Sequence, residues 1–179
     1  MEPDPPTVLA TTPVEEAQKL AQDLGLALVL VVDEERRLCG FLTRKALEAA
    51  PRPDLPAGKL AAQPTVVLQA DDPVERALAL LVDRYAVLPV LEGERLVGVI
   101  TRGGALRALV RMTGIGEEGT RIRLRLDDHQ DLYRVLEVLS RRRVELVSVT
   151  RGEEGEVVLH VRGLDDREGL LRELEEALG

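Results

Sequence analysis

The chain has 179 residues, 45% of them hydrophobic, with 32 acidic against 24 basic side chains and a formal net charge of −8. Such a length supplies one good core or two small ones. The acidic balance argues against duplex nucleic acid, and the scarce aromatics (Phe41, Tyr85, Tyr133) offer no stacking platform for single strands.

No apolar run approaches the roughly 20 residues that cross a bilayer, and the start Met1-Glu2-Pro3-Asp4-Pro5 is acidic. Cys39 is the single cysteine and no Cys/His cluster has zinc spacing. The expectation is a cytoplasmic protein with no membrane partner, no internal disulfide and no metal site.

In chain order, residues 7–10 read as a short strand. Thr12 before Pro13, with Glu15 and Glu16 in the next turn, reads as a helix start capped by a threonine. Ala17, Leu20, Ala21 and Leu24 follow at helical spacing, and Gly25 stands where a helix stops. Residues 26–32 are continuously apolar, as in a strand buried on both faces. A polar turn at 33–36 leads into a strand from Leu38 to Leu42, and Thr43 opens a helix through Leu47. A proline-rich connector occupies 51–58.

The same order then recurs: strand 65–68, helix 73–84, strand 86–91, turn 92–94, strand 96–100, helix 101–112. Pro13, Val14, Glu15, Ala17, Leu20, Asp23 and Leu28 recur 60 residues on. Arg37, Leu38, Gly40, Thr43 and Arg44 recur 58 residues on. Repeats of this length stack, each covering an apolar face the other cannot bury alone.

After Met112 a glycine-rich linker runs to Gly119. Ile122, Leu124 and Leu126 alternate with arginines as a strand with one wet face. Leu132, Val135, Leu136 and Leu139 mark a helix face. Strands at 145–150 and 157–162 follow, joined by the turn Gly152-Glu153-Glu154-Gly155, and a helix from Asp165 to Leu178 closes the chain. This β-α-β-β-α order is ferredoxin-like. The organisation expected is 1–50 first repeat, 51–64 linker, 65–113 second repeat, 114–119 linker and 120–179 C-terminal domain.

Gly40-Phe41-Leu42-Thr43, Gly98-Val99-Ile100-Thr101, Val87-Leu88-Pro89-Val90 and Asp72-Pro73-Val74 carry a resemblance. Residues 7–47 and 65–107 resemble a tandem pair of CBS domains, a Bateman module. The last 60 residues resemble an ACT domain, and the layout resembles the acetoin-utilisation regulatory proteins of bacteria. The resemblance implies an α/β (α+β) fold, a CBS pair plus a ferredoxin-like ACT domain.

It also implies an adenine nucleotide as regulatory ligand in a cleft between the repeats. Independently of the family, Thr43 and Thr101 stand at helix N-termini, where unpaired N–H groups favour an anion, and Arg44 and Arg102 add phosphate donors beside them. The second repeat keeps the Pro-Val strand. The favoured site is therefore Thr65, Val67, Ala86, Leu88, Thr101 and Arg102, with Thr43, Arg44 and Ala27 as a second half-site.

The family commonly has an Asp three positions after the Thr, where this chain has Ala46 and Gly104. That departure predicts weaker ribose selectivity. In the loop before the third domain's first helix, Asp127, Asp128 and Asp131 read as caps rather than a metal site. Their carboxylates would repel an amino acid's own, so this domain is expected to dimerise rather than sense. His160 is expected to be a satisfied sheet residue, and Cys39 a small core hydrophobe.

With no Ser/His/Asp order and no GxxxxGK loop the chain reads as a non-catalytic, ligand-sensing regulatory protein, a homodimer with a further protein partner. The alternatives are a dimeric scaffold with a degenerate nucleotide site, or an amino-acid sensor acting through the ACT domain.

Overall fold

The computed structural model describes residues 1–153 and 155–179, and the side chains of all of these but Asp83. Glu154, in the expected C-terminal hairpin turn, lies outside the described residues. The chain divides into two compact units, Met1–Leu106 and Arg107–Gly179.

The first unit carries β1 (Glu2–Pro3), β2 (Thr7–Leu9), α1 (Val14–Asp23), β3 (Leu28–Val32), β4 (Leu38–Thr43), α2 (Arg44–Glu48) and α3 (Ala57–Leu60). It continues through β5 (Leu68–Gln69), α4 (Val74–Asp83), β6 (Val87–Glu92) and β7 (Arg95–Thr101) into α5 (Arg102–Thr113). One sheet has the order β2-β3-β4 and the other β1-β7-β6-β5. In each, a short strand pairs parallel with a buried one across a helix, and the buried strand pairs antiparallel with its hairpin partner.

The repeats have the same mechanics. Gly25 (φ 62°) ends α1 as expected. Both buried strands shift register at matching places, between Val31 and Val32 and between Val90 and Leu91. The hairpin tips then meet: Leu38 N donates to Glu94 O (3.2 Å) and Leu96 N to Arg36 O (2.9 Å). This reciprocal pair marks the axis that relates the copies.

Each repeat has its own core. Val14, Ala17, Val29, Val31, Leu42 and Leu47 pack in the first, and Leu68, Ala77, Leu81, Leu88 and Val90 in the second. A third cluster of Leu30, Val32, Leu91, Leu96 and Val99 joins them, with Leu28, Phe41, Val67 and Val87 packed against it. Burial of each large side chain contributes about 1.5–3 kcal/mol. The shared cluster is what holds two short repeats together.

Three expectations need correction. Pro13, not Thr12, is the N-cap of α1, and no side chain caps it. The connector does so instead: Val14 N donates to Leu55 O (2.9 Å) and Glu15 N to Pro53 O (3.1 Å). The connector itself contains α3, seated by Ala57 N on Thr12 O and Gly58 N on Ala10 O. Finally, β1 was not anticipated. It lies antiparallel on β7, Glu2 opposite Val99 and Pro3 opposite Gly98.

The second unit holds β8 (Thr120–Arg125), α6 (His129–Arg141), β9 (Glu145–Arg151), β10 (Glu156–Arg162) and α7 (Arg167–Leu178). Its sheet is antiparallel in the order β8-β10-β9. Val135, Val138, Leu139, Leu159, Val161, Leu170 and Leu174 form its core. The loop acids are caps, as expected: Asp128 and Asp131 close a capping box at the start of α6. Arg142, after α6, pairs with Glu173 (2.9 Å) on α7 and holds that carboxyl below its ordinary range.

His160 departs from expectation. It is 1% exposed, and its Nδ1 has no hydrogen-bond partner among the described residues. Cys39 is only half-buried, and burial raises its thiol pKa. No helix among the described residues is long and apolar enough to cross a membrane.

Candidate ligand clefts between the repeats

Strand order decides which residues can share a cleft. In the sheet β1-β7-β6-β5, the segment leading into β5 and the end of β7 lie on opposite sides of β6. Two separate hollows result, each built from both repeats.

The first, about 170 Å³, is walled by Leu28, Leu30 and Phe41 of the first repeat. The second repeat contributes Pro64, Thr65, Arg84, Tyr85 and Ala86. Its size is below the ~300 Å³ lower end of pockets that enclose a drug-sized ligand, so it has room for only part of one. Arg84 is the charged group on this wall, and Phe41 and Tyr85 present aromatic surface.

The second hollow, about 220 Å³, has Ala27, Leu28 and Leu30 on one side and Val87, Val99 and Thr101 on the other. Residues 2–6, running from β1 into β2, form its remaining wall. Thr101 Oγ1 accepts from Gly104 N (3.1 Å) and donates to Glu2 Oε1 (2.9 Å). Asp4 Oδ1 lies 3.3 Å from Arg36 Nη2.

The two hollows are related positions on the repeat. Ala62 exchanges both backbone hydrogen bonds with Phe41 (2.9 Å each), just as Glu2 lies opposite Val99, and Phe41 and Val99 are equivalent. These crossing segments explain the repeated glycines. A Cβ on Gly40 would stand 2.7 Å from Ala62 O, and one on Gly98 would stand 2.5 Å from Met1 Cγ and 2.8 Å from Glu2 O.

The structure therefore distributes the sequence-derived site residues. Thr65 and Ala86 line the first cleft; Thr101 and Ala27 line the second. Leu88 is fully buried in the core of its repeat, and Val67 packs into the shared cluster. Arg102 turns the other way: its Nε donates to Leu81 O (2.8 Å) and Tyr85 O (3.2 Å), tying down the end of α4. Thr43 caps α2 by accepting from Ala46 N (3.1 Å). Arg44 lines a separate surface hollow beside Gln18 and Gln22, and its backbone N donates to Ala27 O (3.4 Å).

Sequence reasoning missed Phe41, Arg84, Tyr85 and the segment 2–6. Phe41 and Tyr85 carried a signal, being two of only three aromatics in the chain. The segment 2–6 carried none, since three of its five residues are prolines and no apolar alternation marks it.

Two β-α-β-β-α repeats joined about an axis, with a composite cleft on either side, define a paired-repeat module. A family model described as CBS domain matches residues 1–51 and 57–111, and the chain belongs to that family.

Solved structures agree on the fold. CBSX2 in complex with AMP is 24% identical, covering 62% of this chain and 92% of that one, with a TM-score of 0.55. A protein assigned to acetoin utilization, AcuB from Vibrio cholerae, is 24% identical over 67% and 93% of the two chains (TM-score 0.54). The cytosolic domain of the Mg2+ channel MgtE in complex with ATP is 27% identical, covering 59% of this chain and 45% of that one (TM-score 0.52).

Proposed function

We propose that the chain is a non-catalytic regulatory protein that binds an adenine nucleotide or related adenosine compound in the clefts between its CBS repeats. The observation that carries this reading is the pair of composite clefts at equivalent positions, each walled by apolar strands with polar groups at the rim. Thr65 and Ala86 meet the ligand in one cleft, Thr101 and Ala27 in the other. The AMP and ATP named with CBSX2 and MgtE support the choice of ligand class.

Because each cleft has walls from both repeats, a ligand there couples their relative packing. The second unit, read as ACT-like from its strand order, serves dimerisation or signal output in a cytoplasmic homodimer.

Melting the full chain with millimolar AMP, ADP, ATP and S-adenosylmethionine tests the reading. A ligand at 100 times its dissociation constant stabilises by about 2.7 kcal/mol. No shift with any of the four overturns it.

One observation favours a second reading, a dimeric scaffold with a degenerate site. Ala46 and Gly104 bring no carboxylate and only cap Thr43 and Thr101 through backbone N–H groups. On that reading Thr101→Ala leaves every ligand response unchanged, while truncation at Gly116 changes the oligomeric state measured by light scattering.

A further inference from the structure

The glycine-rich segment between α5 and β8 lies directly on a buried histidine. His160 is 1% exposed, and its Nδ1 has no hydrogen-bond partner among the described residues. A Cβ on Gly114 would stand 2.8 Å from that nitrogen, and one on Gly119 would stand 2.6 Å from Nε2. The two glycines let the backbone close over the ring where a side chain would clash.

The neighbouring strands hold the segment down. Ser148 Oγ on β9 donates to Thr113 O (2.9 Å), and Arg121 Nη2 on β8 donates to Gly114 O (3.1 Å). Both residues stand opposite His160 in the sheet.

We infer that residues 113–119 form a strap latched over neutral His160, and that a proton on the ring releases it. The inference is independent of the nucleotide reading.

A neutral imidazole has one N–H and one bare acceptor nitrogen, whereas a protonated one has two N–H donors. The unpartnered Nδ1 fits as the bare acceptor. A proton there makes a buried, charged donor with nothing to receive it, which costs more than an unpaired neutral group. The charges around the ring do not offset this. Arg121, opposite on β8, is itself a cation. Glu117 of the strap and Glu145 of β9 both pair with Arg162, two residues further along β10 (2.7 and 3.4 Å). Glu118, the strap's other carboxylate, is exposed.

Lifting the strap lets water solvate the protonated ring, so acid favours the released form. Histidine is the side chain that ordinarily changes charge between about pH 5 and 8. The strap leads from α5, which begins in the first compact unit, into the C-terminal sheet. Its release lengthens the unanchored chain between the two.

Hydrogen exchange on the full chain at pH 8 and pH 5.5, corrected for intrinsic rates, tests the latch. The Ile115 and Glu117 amides, bonded to Val110 O and Gly114 O (3.1 Å each), report the strap. Those of Leu159 and Val161 report the core. Strap protection should fall about tenfold at the lower pH while core protection holds. Glu117→Gln, which removes the ion pair with Arg162, should keep the step, and His160→Gln should abolish it.

Strap protection that is equal at the two pH values, or that falls only together with the core's, overturns the inference. So does a step that survives in His160→Gln or vanishes in Glu117→Gln. If His160→Gln does not fold, an NMR titration of the wild type decides, since His129 is the one other histidine. The strap amides should then shift with the His160 ring signals, and strap amides that follow His129 or neither ring overturn the inference.

Discussion

The two CBS repeats share a fold and differ at the positions that line the clefts between them. Where the second repeat puts Arg84 and Tyr85 into the first cleft, the first repeat puts Leu26, the match of Tyr85, into the second, with neither an aromatic ring nor a cation beside it. Where the crossing segment of one cleft offers Ala62, that of the other offers Glu2 with its hydrogen bond to Thr101. Duplication conserved the residues that build the hairpin and its core. It left the cleft walls free to diverge in charge and aromatic content. The lesson is that a near-symmetric backbone can carry two chemically distinct clefts.

Leu88 and Leu28 put the largest test to the division between core and cleft that both repeats share. By hairpin register Leu88 matches the buried Val29, and Leu28 matches Val87, which also lines both clefts. Leu88 is fully buried in the core of its repeat, whereas Leu28 is half-buried and faces both clefts. Leu88→Ala should destabilise by about 2–5 kcal/mol in denaturant melts, through lost burial and the cavity left behind. Leu28→Ala should cost clearly less but weaken any ligand-induced stabilisation. Equal costs, with ligand response intact in both, would mean that the distinction between core and cleft positions is wrong.

The paired glycines give a smaller contrast. Gly40 has φ +150° and its added Cβ would meet the backbone oxygen of Ala62. The closest atoms to an added Cβ on Gly98 belong to the flexible Met1 side chain, although Glu2 O is also near. Gly40→Ala is therefore expected to cost about 1–3 kcal/mol, the scale of a strained backbone position. Gly98→Ala should cost less, because residues 1–3 can move aside, and it should disturb the second cleft alone. Limited proteolysis of the N-terminal segment in the two variants separates them.

Arg102→Ala lies lower still. Removing the Nε donor frees the carbonyls of Leu81 and Tyr85 at the end of α4, a loss on the order of 1 kcal/mol in chemical melts. Under a phosphate-contact role the same variant would instead lose ligand affinity with stability unchanged.

These residues also show what the sequence made legible. The apolar runs at 26–32 and 86–91 announced two strands buried on both faces, and the shared Pro-Val-Glu starts announced two helices. The apolar runs sufficed for the strands because burial follows side-chain type locally. The cap of α1 was not legible, since carbonyls of the distant connector supply it. The site was harder, since Thr65 and Thr101 belong to one repeat yet open onto different clefts. Only the strand order, with β6 between β5 and β7, separates them, and no spacing encodes that order. Arg102 misled for a similar reason. A guanidinium beside a helix start suits a phosphate, but here backbone carbonyls of the preceding helix come within reach. β1 was invisible because its pairing depends on β7, nearly 100 residues away, and its own residues have no strand preference.

The smallest expected effect concerns how each repeat begins its helix, and pH reads it. Asp72 stands where the first repeat has Thr12. Its Oδ2 accepts from Gln69 N (2.8 Å) and its Oδ1 from Arg76 Nη1 (2.6 Å), and these bonds, the backbone one foremost, hold its carboxyl below the ordinary value of 3.8. A carboxyl depressed in the folded state contributes stability above its unfolded pKa and loses it as pH falls through the folded value. Asp72→Thr, which copies the first repeat, should therefore melt slightly below wild type at pH 7. The gap should close as pH drops below about 3.8 toward the lower folded value. Asp33, Asp166 and Glu173, similarly depressed by Arg37, by Gly169 N and by Arg142, titrate in both proteins and cancel from the difference. A gap between the two melting curves that stays constant down to strong acid would show that Asp72 acts through its shape and not its charge, and that the two helix starts are electrostatically alike.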